Sequence, residues 1–273
     1  MQAASRESYA AARQRLDAYA GQTEADRISA TGDELGSVAG LLRREPRLRR
    51  ALSDPARAGE DRAALLESLL GDKVGDDARA LLGVLVSGRW SAPSELLEGT
   101  ERLGVEALLA SADRAGDLGE VEDELFRFGQ VVAADAELSN TLSDPIAPVA
   151  QRAELTGALL SGKANPVTVK LVEVALAGFG GRSFSGALTR LVELAADRRD
   201  RQVAYVTVAA PLAEEEEQRL GRKLTELYGR EVTVKQTVDP NVLGGLRVQI
   251  GSDLYDGTIL RRLTDTRNAL ARS

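Results

Sequence analysis

The chain contains neither cysteine nor histidine. Without thiols there are no disulfides, no zinc–thiolate sites and no cysteine nucleophile. Without imidazole the commonest general base and the commonest metal ligand are gone. Aromatic residues make up only 4%, so Leu and Ala carry most of the apolar content, which favours helices over sandwiches. Basic charge is also short. Against 42 Asp and Glu stand 35 Lys and Arg, a formal net charge of −7. A dedicated nucleic-acid binder needs a concentrated basic surface, and none is expected here. Long apolar runs are missing too: the longest, such as residues 81–86 with Gly83 inside, fall far short of the ~20 residues that span a bilayer. The opening Met-Gln-Ala-Ala-Ser-Arg-Glu lacks the basic and apolar regions of a signal peptide, so the expectation is a soluble intracellular chain.

What is present is ordinary globular material, 43% hydrophobic and 28% charged over 273 residues. That length suits two domains on a prior of about 100–200 residues each. The first helix is predicted over residues 5–20, where Tyr9, Ala12, Leu16 and Tyr19 fall on one apolar stripe. Beyond it the sequence repeats. Leu-Ser-Asp-Pro stands at 52–55 and, ninety residues on, at 142–145. At the same offset Asp33-Glu34-Leu35 meets Asp123-Glu124-Leu125, Arg62-Ala63 meets Arg152-Ala153, and Leu65, Leu69, Leu70, Lys73 and Leu81 meet Leu155, Leu159, Leu160, Lys163 and Leu171. Each copy reads as helices joined by short turns, with Ser and Asp as caps and Pro in a first helical turn. Residues 91–109 then close the first bundle and, ninety residues after helix one, open the second. Such double duty implies neighbouring bundles, not beads on a flexible linker.

From about Arg201 the pattern changes. Residues 203–208 are strand-like, and Pro211 followed by four glutamates at 214–217 starts a helix, its acids in the first turn where the dipole favours them. Gly229 is the expected stop. Val232, Val234, Gln236 and Val238 alternate with polar residues as the next strand, which Asp239-Pro240 ends. Gly244-Gly245 opens a further strand of Leu246, Val248 and Ile250, and paired glycines there permit a bulge or close backbone approach. Gly251-Ser252-Asp253 reads as a hairpin turn, and Asp256-Gly257-Thr258 as the cap of a helix beginning near Ile259. The fold class is therefore mainly α: two tandem helical bundles, 1–93 and 94–200 sharing the helix near 91–110, then a small α+β domain, 201–273.

Three features suggest chemistry they do not carry. Gly157-x-x-x-x-Gly162-Lys163 imitates a phosphate-binding loop, but Ala164 replaces the Ser or Thr that would hold Mg²⁺, and the residues before it are helical, not a strand. Gly178-Phe179-Gly180-Gly181 lacks dinucleotide-fingerprint spacing and reads as a helix-ending turn. The cluster Arg43, Arg44, Arg47, Arg49 and Arg50 reads foremost as a solvated face, with contact to an acidic partner as the alternative; the second copy lacks it. Nothing points to a catalytic residue, a cofactor or a metal.

The string V-D-P-x-x-x-G-G-x-x-V-x-I-G, followed by D-G-T-x-x-x-R-L, comprises Val238, Asp239, Pro240, Gly244, Gly245, Val248, Ile250, Gly251, Asp256, Gly257, Thr258, Arg262 and Leu263. It resembles the C-terminal signature of the delta subunit of F-type ATP synthases, the family of the oligomycin-sensitivity-conferring protein. Arg6, Tyr9, Ala10 and Ala12 fit that family's opening helix, with Arg13 departing where an apolar residue is usual. A bundle present twice resembles the long actinobacterial form. The resemblance implies a non-catalytic peripheral-stalk subunit linking the catalytic head to membrane-anchored b subunits, peripheral at the cytoplasmic face of the bacterial membrane. It implies alpha subunits and b-type stalk subunits as partners, no nucleic acid, and membrane contact only through partners. Its interface candidates are Tyr9, Ala12, Leu16, Leu82 and Val86 for the head, and Gly244, Gly245, Asp256 and Gly257 for the stalk. The alternative is a helical adaptor of another assembly.

Overall fold

The structure is a computed structural model that describes residues 1–229, 231–240, 242, 244–250 and 253–258. The described residues form twelve α-helices and four strands. The chain separates into two compact units, Met1–Leu191 and Val192–Ser273.

In the first unit, α1 (Ala3–Ala20), α2 (Ala25–Arg44), α3 (Pro46–Leu52), α4 (Gly59–Leu70) and α5 (Asp76–Ser87) are followed by the long α6 (Pro93–Ala115). Then come α7 (Leu118–Ala134), α8 (Ala136–Ser143), α9 (Val149–Leu160), α10 (Pro166–Leu176) and α11 (Phe184–Arg198), which runs on into the second unit. The repeat is visible in these bounds, since α4 shifted by ninety residues is α9, and α2, α3 and α5 match α7, α8 and α10 to within a few residues. The same side chains also do the same work. Glu34 accepts a hydrogen bond from the Gly75 amide (3.1 Å), and Glu124 accepts one from the Asn165 amide (2.9 Å). Each carboxylate thus serves an amide at the start of α5 or α10, where no intrahelical acceptor exists and the helix dipole favours negative charge. Arg62, only 4% exposed, donates to the carbonyls of Asp54, Arg57, Val86, Ser87 and Gly88, and its counterpart Arg152 donates to the carbonyl of Leu142.

The Ser-Asp-Pro segments differ from expectation in one respect. Their prolines do not sit in a helical first turn, because α4 and α9 begin four residues later. Asp54 and Asp144 instead accept from the amides two residues on, Ala56 (2.9 Å) and Ile146 (2.8 Å), the side-chain turn that aspartate favours over continued helix. The arginine cluster is not uniformly solvated. Arg43 donates to the carboxylate of Glu101 (2.7 Å) and the carbonyl of Ala177 (2.6 Å), while Arg44, Arg47 and Arg50 are exposed.

α6 is buried along most of its length and on every side, from Leu96 through Ala112. α2 lies against it at backbone distance. A Cβ built on Gly104 would come within 3.2 Å of the Gly36 nitrogen, and one on Gly32 within 2.9 Å of Leu108. A larger residue at these crossings would push the helices apart, so the glycines act through space, not through unusual φ. The imitation of a phosphate-binding loop is helix followed by turn, with α9 ending at Leu160 and no strand before it.

The second unit contains β1 (Arg201–Val208), α12 (Glu214–Tyr228), β2 (Glu231–Val238), β3 (Leu246–Ile250) and β4 (Asp253–Asp256), in sheet order β2-β1-β3-β4. β1 pairs parallel with β2 and antiparallel with β3. α12, the crossover between the parallel pair, lays Leu220, Leu224 and Tyr228 on Ala204, Val206, Val232 and Val248. It starts at Glu214, three residues after Pro211, where the Glu216 carboxylate accepts from the Ala213 amide (3.1 Å). It stops at Gly229 with φ 68°. The turn at Gly251-Ser252 and the helix expected near Ile259, with Arg262 and Leu263, lie outside the described residues.

Candidate functional site

Two regions hold the residues that the sequence put forward. In the first unit, Tyr9, Ala12 and Leu16 of α1 and Leu82 and Val86 of α5 belong to one apolar core and none is more than 5% exposed. They hold the two helices together. α1 and α5 are antiparallel: Tyr19 donates to Asp77 (3.1 Å) at one end, and Ser8 donates to the Arg89 carbonyl (2.7 Å) at the other. The cleft along this pair is edged by the next residues round each helix, Ala4, Ala11 and Arg15 on α1 and Ala80 and Val84 on α5, with Ala4, Ala11, Arg15 and Ala80 exposed. Side chains of this size leave room for close approach of another helix. Ala4 also lines a cavity of about 620 Å³, together with Arg57, Ser87, Arg89 and Trp90 among others.

Where α1 meets α6, a charged group lies inside the unit. Glu106, 1% exposed, stands 3.6 Å from the Arg102 guanidinium and 3.9 Å from that of Arg13. Arg102 also sits 4.7 Å over the Tyr9 ring. Burial pushes the Tyr9 phenol well above its ordinary range, and the neighbouring Glu106 carboxylate adds to the shift. Counted at the ninety-residue offset, Arg102 and Glu106 stand where α1 has Ala12 and Leu16. Arg13, the departure from the family's opening helix, finds its partner there. The signal was available as two charges interrupting the repeated apolar stripe.

In the second unit the four signature residues converge. Gly244 and Gly245 both have φ 78°, the left-handed region in which a β-carbon is strained. The Gly257 amide donates to the Leu246 carbonyl (3.0 Å). A Cβ on Gly245 would overlap the Gly257 carbonyl oxygen and lie 3.0 Å from the Cα of Thr258. The double glycine is thus required twice, by its backbone angle and by the chain passing over it. Asp256 accepts from the Thr258 amide (3.1 Å) and hydroxyl (2.7 Å) and pairs with Arg247 at 3.7 Å. Asp239 donates its amide to the Val208 carbonyl (2.8 Å), so Asp-Pro closes β2 against β1 before the chain turns toward the glycines.

The described residues thus form a helical tandem built on a ninety-residue repeat and a small sheet whose C-terminal strands close over a double glycine, the class of mainly α chains with a C-terminal α+β unit. The profile of the family described as "ATP synthase delta (OSCP) subunit" matches residues 105–270. The ATP synthase subunit delta of Salinispora arenicola is 74% identical over the whole of both chains. That of Streptomyces griseus is 45% identical over 99% of this chain and 100% of its own, and that of Kineococcus radiotolerans 41% identical over 97% and 95%. The chain belongs to the ATP synthase delta (OSCP) family, the peripheral-stalk subunit of F-type ATP synthase, in its long actinobacterial form. Among the described residues no helix is long and apolar enough to cross a membrane.

Proposed function

We propose that the chain is a non-catalytic connector, joining the catalytic head of the synthase to the membrane-anchored b subunits so that the head does not turn with the rotor during ATP synthesis. In this reading the bundles 1–93 and 94–200 face the head, and the first takes a helix of an alpha subunit into the α1–α5 cleft, a helix-in-groove mode. The domain 201–273 binds the b helices, its attachment organised around Gly244, Gly245, Asp256 and Gly257. The chain needs no cofactor, meets no nucleic acid, and lies at the cytoplasmic face of the bacterial membrane only through its partners. The observation that carries the reading is identity with delta subunits over both units, 41–74% across nearly the whole chain. The test is affinity purification of the tagged chain from solubilised membranes. Recovery of alpha and b-type subunits is expected. Recovery of a different assembly, without them, would favour a helical adaptor instead.

A further inference from the structure

The repeat allows one bundle to serve as a control for the other. Along α1 the outward residues Ala10, Ala11, Gln14, Arg15 and Ala18 are all exposed. Ninety residues on, α6 has Thr100, Glu101, Gly104, Val105 and Leu108, and all are buried. α2 covers three of them, and the Gly180 amide also donates to Glu101 (2.9 Å). Gly32 of α2 lies under Leu108, its Gly36 against Gly104, and its Arg43 on Glu101.

α2 also grips α10. Lys170 donates to Ser29 (2.9 Å) and Asp33 (2.6 Å), and Arg43 donates to the Ala177 carbonyl (2.6 Å). Lys170 and Ala177 stand ninety residues after Ala80 and Ser87, on the cleft edge of α5. So α2 lies lengthwise in the second bundle's cleft, between its first and fifth helices. From residue 29 to residue 43 its contacts ascend from Lys170 on α10 to Ala177, the residue that caps it, and from 32 to 43 those on α6 descend from 108 to 101. It runs parallel to α10 and antiparallel to α6.

We propose that α2 is the built-in occupant of the second bundle's cleft, so that the chain offers the head a single open cleft, α1–α5, and that the incoming alpha-subunit helix lies there as α2 lies in the other: antiparallel to α1 and parallel to α5. The proposal rests on the stator reading above. The family profile covers the second bundle, yet the first is the open one. Charge agrees with the polarity. A guest in this orientation ends near Ala4 and Ser87, where Arg57 and Arg89 line the cavity and meet the partial negative charge of its last carbonyls.

The absence of native cysteine makes introduced thiols unique. Single variants Ala4→Cys, Ala18→Cys and Glu173→Cys, all at exposed helical positions, are labelled with a benzophenone, bound to purified catalytic head, irradiated and mapped by mass spectrometry. The expected result is alpha-subunit adducts from positions 4 and 18 and none from 173. Those from 18 should fall earlier in the alpha sequence than those from 4. Adducts from 173, or the reverse order, would overturn the proposal. So would a bound head without adducts at 4 and 18, although that result leaves the stator reading standing; a head that does not bind at all removes both.

Discussion

Replacing Gly245 by alanine should loosen the second unit while leaving the first intact. Its φ of 78° costs an L-residue about 1–2 kcal/mol. The added methyl also meets the Gly257 carbonyl and the Thr258 backbone, which cannot rotate away as a side chain could. Overpacking of that kind costs about 1–3 kcal/mol, so the total is about 2–5 kcal/mol. Gly229 is the control: its φ is 68°, and a Cβ there meets nothing within 4 Å, so its alanine variant carries the backbone term alone. The single tryptophan, Trp90, lies in the first unit, whereas Tyr205, Tyr228 and Tyr255 lie in the second. Tyr9 and Tyr19 also lie in the first unit, so urea unfolding is followed by Trp90 fluorescence and, in a Tyr9→Phe, Tyr19→Phe background, by tyrosine near-UV dichroism, which then reports the second unit alone. With slopes of about 1–2 kcal/mol per molar urea, the Gly245→Ala tyrosine transition should fall by about 1–5 M, with Trp90 unmoved. An effect no larger than that of Gly229→Ala would show that chain crossing does not constrain Gly245. An equal shift in both signals would refute independent loosening.

In membranes, Gly245→Val should leave ATP hydrolysis in place while ATP-driven proton pumping falls and b subunits are lost on washing; normal pumping with b retained would show that these strands are not the stalk attachment. Glu106→Ala leaves Arg13 and Arg102 without their partner and, both guanidiniums being partly exposed, should destabilise the first unit by about 1–3 kcal/mol, read from Trp90 unfolding. Tyr9 titrates above its ordinary value of 10.0 in the folded state. Its contribution to stability is therefore whole below about pH 10 and declines as pH rises further, because only the unfolded chain ionises there. Tyr9→Phe should flatten that alkaline decline relative to wild type. Calorimetry with Mg²⁺-ATP should register no binding, and Lys163→Ala should change nothing.

The helices, the repeat and the positions of the strands were legible because apolar spacing and turn residues are local signals; the sheet order and the parallel β1–β2 pairing were not. The ninety-residue register placed Glu34 and Glu124 correctly as equivalents. Their task, serving the start of α5 and α10 from forty-one residues away, required the tertiary fold. The signature glycines were legible as a close approach, and Gly257 proved to be the chain that approaches Gly245. The head-binding candidates illustrate a limit of periodicity. An apolar stripe marks the face a helix buries at home, so Tyr9, Ala12, Leu16, Leu82 and Val86 lie in the bundle core, whereas the cleft edge is made by small and polar neighbours that carry no such mark. The α2–α6 crossing was hidden for a related reason: Gly32, Gly36 and Gly104 look like isolated glycines in helical sequence until two distant helices are set side by side.

The most direct test of the account is coupling restored by the purified chain. Membranes carrying the synthase are stripped of this subunit, and ATP hydrolysis and proton pumping are measured on the same preparation before and after the full chain is added back. Retained hydrolysis without pumping, and pumping recovered in proportion to chain bound at the head, is the result expected of a stator connector. Full pumping in the stripped membranes, or hydrolysis that itself depends on the chain, would contradict it.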